Sequence, residues 1–384
     1  MGADSYQAIV IGAGPGGLAT AAMLTRRKVD TVIVEQAESV GASWRSRYDN
    51  LHLNTVRWLS HLPGMRIARK YGRWPSRDGF VEYLEEYYRR LLLPVQFGTR
   101  VDHIYRRNGH WLLRTSGGEI CAPNVVIATG HQRVPHLPDW PGRETFSGEL
   151  IHSVSYRSPP PYSGRDVLVI GTGDSGSGIA LDLARHRAGR VRIAVRTGPN
   201  IVIGDRFGIP AQLLGIISQP LPGRVIDFLG LLSQRISVGN LSKYGIPNPE
   251  VGPYTRAIRD YIGPIVDFGF VHAVKHGRIE VVPAVEGFDG AEVLLAGGGR
   301  VRPDAVIAAT GFRPGLEPLV GRLGVLSAVG RPIVHGPETH PKAPGLYFVG
   351  YKAEISGNIR QMSIQARKIA GAIGSARASQ EAPS

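Results

Sequence analysis

The chain has 384 residues, enough for two nucleotide-binding-sized domains with cores of their own. At 42% hydrophobic and 20% charged it has the make-up of an ordinary globular protein, which sets aside collagenous and low-complexity classes. Its net charge of +14 is scattered and mostly arginine, with no basic block and no interleaved aromatic platform, so nucleic acid is not an expected partner.

A single cysteine, Cys121, excludes an internal disulfide framework, a CxxC redox pair and a cysteine zinc cluster, and fits a reducing cytoplasm. The histidines show no metal-ligand spacing, so no metal is expected. No secretory signal is evident, and no apolar run reaches the roughly 18–20 residues of a membrane-spanning helix. The nearest candidate, residues 210–236, is broken by Pro220, Pro222, Arg224 and Asp227. It reads as a buried lid over a hydrophobic site, in preference to a membrane-surface contact.

Along the chain, residues 7–12 read as a buried parallel strand. Gly12-Ala13-Gly14-Pro15-Gly16-Gly17 follows at once, then a helix over 19–26 and a strand over 31–35. This is GxGxxG in its strand–turn–helix setting, where glycines let backbone N–H groups approach a pyrophosphate at a helix N-terminus. Glu35, closing the second strand, is placed to accept from a ribose hydroxyl pair. Downstream stand Gly41-Ala42-Ser43-Trp44-Arg45, then Asn54-Thr55, then a helix over 77–90 with Phe80, Tyr83, Leu84 and Tyr87 on one face. Residues 100–104, 111–115 and 119–122 suggest a small antiparallel element. Residues 124–130 form another buried strand ending in Ala128-Thr129-Gly130, small enough for a cofactor to approach. The stretch 146–156 is too polar for a buried strand and too irregular for an amphipathic helix, and reads as a connector.

The pattern then recurs. Residues 166–170 are a strand, Gly171-Thr172-Gly173-Asp174-Ser175-Gly176 the turn, and 179–185 the helix. The next strand, 191–195, ends in Arg196 where the first unit has an acid. A carboxylate there suits a free 2′-hydroxyl, whereas Arg pairs with a 2′-phosphate. Arg196 with Thr197 therefore selects NADPH. An acid after the first unit and a base after the second imply FAD plus NADPH. Residues 304–311 repeat the strand with Ala309-Thr310-Gly311, and 345–350 and a helix over 357–374 look like elements returning to the first domain.

These residues resemble the class B flavin-containing monooxygenases, and more closely their YUCCA-like branch, over nearly the whole chain. The resemblance rests on both glycine turns, on residues 41–45, on Ala309-Thr310-Gly311-Phe312, on residues 345–350, and on the pattern FxGxxxHxxx(Y/F) through Phe146, Gly148, His152 and Tyr156. Two departures stand out: Ser177-Gly178 replace a usual acidic residue, and Asn54-Thr55 is a feature of animal-type enzymes. The implied fold class is α/β, two Rossmann-like dinucleotide-binding domains with the FAD domain discontinuous. Its expected boundaries are 1–157 and 299–374 for FAD, 158–298 for NADPH with an apolar insert at about 205–262, and a frayed tail at 375–384.

The resemblance implies that NADPH reduces FAD and that reduced flavin captures molecular oxygen at C4a, in a dry site. Asn54 is the expected hydrogen-bonding residue by the flavin, and His152 the candidate acid or base. The cofactor-binding set is Gly12, Gly14, Pro15, Gly16, Gly17, Glu35, Gln36, Ser43, Trp44, Arg45, Val101, Ala128, Thr129, Gly130, Gly171, Gly173, Asp174, Ser175, Gly176, Arg196, Thr197, Thr310, Gly311, Gly350 and Gln361. The expected reaction is monooxygenation of a small hydrophobic molecule, such as oxidative decarboxylation of an aromatic 2-oxo acid of the indole-3-pyruvate type. Alternatives are N- or S-oxygenation, NADPH oxidation to peroxide, or a non-catalytic nucleotide sensor. A homodimer is left open.

Overall fold

The computed structural model describes residues 4–206, 208–352 and 354–381. Strand β1 (Ala8–Ile11), buried at every position, runs through the first glycine turn into α1 (Pro15–Arg26) and then to the equally buried β2 (Thr31–Val34). Pro15 starts α1 because its missing N–H is one that a first helical turn leaves unpaired anyway. After the short α2 (Ala42–Arg45) comes α3 (Arg77–Arg90), capped by the Ser76 hydroxyl accepting from the Gly79 N–H. Its Phe80, Tyr83, Leu84 and Tyr87 enter the core. β3 (Val95–Gln96) precedes an antiparallel meander of Val101–Arg107, His110–Thr115 and Gly118–Ala122, and β4 (Asn124–Ile127) follows it.

The second half holds β5 (Glu149–His152), β6 (Asp166–Ile170), α4 (Asp174–Arg185) and β7 (Arg190–Val195). An insert carries α5 (Ala211–Ile217), α6 (Gly223–Ser237), α7 (Pro253–Arg259) and β8 (Ile265–Asp267). β9 (Glu280–Pro283), β10 (Ala305–Ala308), β11 (Leu346–Phe348) and α8 (Asn358–Glu381) complete the chain. Two five-stranded parallel sheets result, in the orders β11-β4-β1-β2-β3 and β5-β10-β6-β7-β9. Their apolar strands read as continuous runs because helices or the meander cover both faces.

Three expectations are corrected here. Residues 149–152 are not a connector but β5, paired to β10 alone at the edge of the second sheet. An edge strand wets one side, which accounts for its polarity. β10 pairs with β5 and β6, so Ala309-Thr310-Gly311 lies beside the second glycine turn, outside the first domain; only β11 and α8 return to the first sheet and to α1. The chain crosses between halves twice, and the two crossings pair there, Phe312 with Pro135 and Arg313 with Val134. α8 continues through part of the expected tail to Glu381, while residues 382–384 lie outside the described residues.

The insert is also not a buried lid throughout. On α6 only Ile226 is buried; Phe228, Leu232 and Ile236 point outward, while Ile226, Leu229 and Gly230 line an internal cavity. A helix with one face on a cavity and the other on solvent keeps apolar residues on both, so composition alone overstates its burial.

Candidate active site

Both glycine turns are built by the same steric rule. Gly12 and Gly171 adopt φ of +105° and +104°, open to glycine at little cost. A Cβ on Gly17 would lie 1.8 Å from the Gly12 carbonyl oxygen, and one on Gly176 would lie 1.9 Å from that of Gly171. A Cβ on Gly12 would meet the Ala128 oxygen at 2.8 Å, and one on Gly171 the Ala309 oxygen at 2.7 Å. Each turn is thus clamped against an Ala-Thr-Gly strand end, whereas Gly14 and Gly173 face open space. Those open backbones at the starts of α1 and α4 are cradles into which a pyrophosphate fits.

A cavity of about 1360 Å³ joins them. Ligand pockets usually hold about 300–1,000 Å³, so this one has room for more than one bound molecule. Gly12, Gly14, Pro15, Gly16, Glu35, Gln36, Ser43, Trp44, Val101, Ala128, Thr129 and Gly130 line it from the first half. Asp174 and Ser175 line it from the second, and Asn54 lies between. Glu35 is held in place by the N–H groups of Ala13 and Ala37, which donate to its two oxygens at 2.7 and 2.9 Å. Gly17 and Gly176 serve packing, not the cavity wall.

Other expected residues fall elsewhere. Arg45 pairs with Glu85 on α3, away from the cavity; it is Arg47, two residues on, that lines it, its guanidinium 4.8 Å from the Phe312 ring centre. Gln361 donates to the Ser356 hydroxyl at 2.8 Å and does not line the cavity. The Gly350 N–H donates to Gln365 at 2.9 Å, and its carbonyl accepts from His131 at 3.0 Å. Thr310 donates to the His136 carbonyl. Arg196 is exposed past the end of β7, and the Thr197 hydroxyl accepts from Arg256 of α7 at 3.1 Å.

Every residue of the 146–156 pattern has a structural partner. Phe146 packs against Phe288 at 5.2 Å between ring centres, and Gly148 leaves the room that Phe146 occupies. Tyr156 donates to the buried carboxylate of Asp182 at 2.8 Å, which also receives Asn50 at 2.7 Å. His152 accepts the Val154 N–H at Nδ1, 3.1 Å, so its Nε2 carries the proton and donates to the Gly311 carbonyl at 3.0 Å. Burial lowers its pKa and keeps it neutral. With both nitrogens engaged, no lone pair is left for proton abstraction, and the expectation of a catalytic His152 gives way to a tie between the two crossings.

The structure also brings in residues that the sequence reading passed over. Tyr48 and Arg47 lie just past a motif that ended at Arg45. Gln212 of α5 accepts from the Val56 N–H and donates to the Ser356 carbonyl, each at 3.0 Å, stapling the insert to the Asn54 loop. The His131 imidazole lines the cavity and is held neutral, burial pushing it down to about 4. Its place directly after Ala128-Thr129-Gly130 was the available signal.

Two parallel-sheet units with glycine-clamped turns on one cavity define a two-dinucleotide oxidoreductase. Residues 9–202 match the family described as pyridine nucleotide-disulphide oxidoreductase. Cys121 is the lone cysteine, so the disulphide branch of that chemistry has no dithiol here. The indole-3-pyruvate monooxygenase YUCCA1 of Oryza sativa subsp. japonica is 34% identical over 355 residues, covering 90% of this chain and 86% of that protein. A probable indole-3-pyruvate monooxygenase of Arabidopsis thaliana, YUCCA9, is 33% identical over 95% of this chain and 88% of its own. Among solved structures, a double mutant of the Stenotrophomonas maltophilia flavin monooxygenase shares the fold at a TM-score of 0.77 and 24% identity, covering 97% and 99% of the two chains. The chain belongs to the flavin-containing monooxygenases, on their YUCCA-like branch. It is an enzyme, a flavoprotein oxidoreductase of the monooxygenase class. No helix among the described residues is long and apolar enough to cross a membrane.

Proposed function

We propose that this enzyme oxygenates a small hydrophobic organic molecule, with oxidative decarboxylation of an aromatic 2-oxo acid, indole-3-pyruvate among them, as its reaction. The single observation that carries the reading is the shared cavity. The open Gly14 backbone, Glu35, the start of α4 and the apolar side chains of Leu214, Leu221, Ile226 and Leu229 all line it.

In this reading FAD lies on the first turn, with Glu35 towards its ribose, and NADPH on the second, with Arg196 and Thr197 towards the 2′-phosphate. Bound FAD supplies the activation of oxygen once NADPH has reduced it. The protein's own work is orientation and exclusion of water. The apolar side chains, open to the cavity, favour an aromatic substrate, and once covered by one would keep solvent from the reacting centre. Asn54, open to the cavity, presents an amide beside the flavin position. The domain division follows the sheets: residues of β1–β4, β11 and α8 hold FAD, and those of β5–β7, β9 and β10 hold NADPH. The single cysteine fits a cytoplasmic setting.

The test is oxygen-dependent NADPH consumption measured beside product formation, for aromatic 2-oxo acids, amines and sulfides. Stoichiometric decarboxylated acid and carbon dioxide with the oxo acids, and none with the others, is the expected result. Oxygenated amines or sulfides would favour N- or S-oxygenation, for which Asn54 at the cavity is the supporting feature. Hydrogen peroxide with every substrate would make it an NADPH oxidase.

A further inference from the structure

Asn54 and Asp174 come from opposite halves of the molecule, 120 residues apart, and meet on the cavity wall. The Asn54 Nδ2 donates to Oδ2 of Asp174 at 2.9 Å, and the backbone N–H of Val266 in β8 approaches its other oxygen, Oδ1, at 3.3 Å. One carboxylate thus receives two donors from two elements. An amide flip at Asn54 would set its carbonyl oxygen against a carboxylate oxygen, acceptor against acceptor. The pairing therefore determines which end of the Asn54 amide faces Asp174 and leaves its oxygen and second N–H to the cavity.

We infer that Asp174 is a positioning residue of the oxygenation site, its ionised carboxylate fixing the orientation of the Asn54 amide that faces the cavity. The inference rests on the reading above, in which Asn54 borders the flavin.

The carboxylate is poised to lose this grip. Asp174 opens α4, where the helix dipole favours a negative charge. Its side chain is open to the cavity, and the surrounding protein, by withdrawing it from bulk water, pushes it up to about 6. From the loop after α2, Tyr48 faces it with a phenol held neutral well above its ordinary range, chiefly by burial. β8 offers only the Val266 N–H, and Asp182, two turns further along α4, is occupied by Tyr156 and Asn50. No Lys or Arg among the described residues forms an ion pair with Asp174. Gly178, one turn on along the same helix face, has no side chain to crowd the site, and a Cβ there would lie 2.6 Å from the Tyr48 hydroxyl. On protonation the acid accepts more weakly and gains an O–H that can donate to a flipped Asn54 carbonyl, so the preference for one amide orientation is lost. The orientation of Asn54 is secured above about pH 6 and released below it.

The test compares the holoenzyme with Asp174→Asn and Asn54→Ala from about pH 5 to 9. Its readouts are product formed per NADPH oxidised and the pH titration of the carboxyl stretching band by infrared difference spectroscopy. In the wild type, product yield per NADPH should fall about twofold on acidification, from an amide that a charge-assisted hydrogen bond holds about ten to one in one orientation to an amide with no preference. An infrared band with a midpoint near 6 should accompany it. Asp174→Asn, shaped like the neutral acid, should lack that band and show the low-pH yield at every pH, with flavin content unchanged. Asn54→Ala should show the same flat low yield while keeping the band. The idea is overturned if Asp174→Asn keeps the wild-type pH dependence. It is equally overturned if that variant raises only the KM for NADPH, which would make Asp174 a dinucleotide contact. Should the wild type oxidise NADPH without oxygenating any substrate, the functional reading fails while the infrared titration still reports on Asp174.

Discussion

The two glycine turns agree within about 0.1 Å in every clamp distance, 1.8 against 1.9 Å and 2.8 against 2.7 Å, yet they differ in the side chains that touch a ligand. The first has Pro15 at the opening of its helix and ends its next strand in Glu35, fastened by two N–H groups. The second has Asp174 at the opening and ends in Arg196, exposed. Backbone sterics admit one turn geometry; in the reading proposed above, two positions per turn then choose the cofactor. A fold can duplicate its frame and diverge only where the ligand's charge is read.

The largest effect expected from breaking this symmetry is on the buried glycines. Gly17→Ala and Gly176→Ala each force a methyl into a carbonyl oxygen, at a cost of about 1–3 kcal/mol or more. Purified Gly17→Ala should lose its yellow colour, while Gly176→Ala should keep it and lose NADPH binding; absorbance and titration calorimetry decide. If both lose flavin alike, the division of the two turns between cofactors is wrong.

Next is Arg196→Ala, which should raise the KM for NADPH by about tenfold or more, as for a lost charged bond, and leave that for NADH nearly unchanged. Equal effects on both would remove the 2′-phosphate assignment. Tyr156→Phe should lower stability by about 1–3 kcal/mol, because it strips a donor from the buried Asp182, with little change in kcat; thermal unfolding beside turnover measures it. The smallest effect belongs to His152→Gln, where a side-chain amide can still donate to Gly311. It should change kcat by no more than a few-fold and leave its pH profile intact. A loss of about a hundredfold would restore His152 as a general base.

Much of the site was legible locally. A turn of six residues between an apolar strand and a helix is a short-range object, so both fingerprints, Glu35 and the apolar strands could be read off directly. Arg45 was misplaced because it closes the short α2 while Arg47 lies two residues on in the bend after it, and nothing local says which turns inward. β5 escaped because an edge strand lacks the apolar signature of a central one. Ala309-Thr310-Gly311 was given to the wrong half because its two copies in the chain are alike, and only strand order tells them apart.

The sequence by itself therefore determined the two strand–turn–helix units, the acid after one and the base after the other, and the family. These depend on residues within reach of one another along the backbone. Only the tertiary structure decided that Asn54 meets Asp174, that Tyr156 serves Asp182, and that His152 spends both nitrogens between the crossings. Parallel pairing joins strands distant in sequence, and no local pattern encodes which loops it will bring to the same cavity.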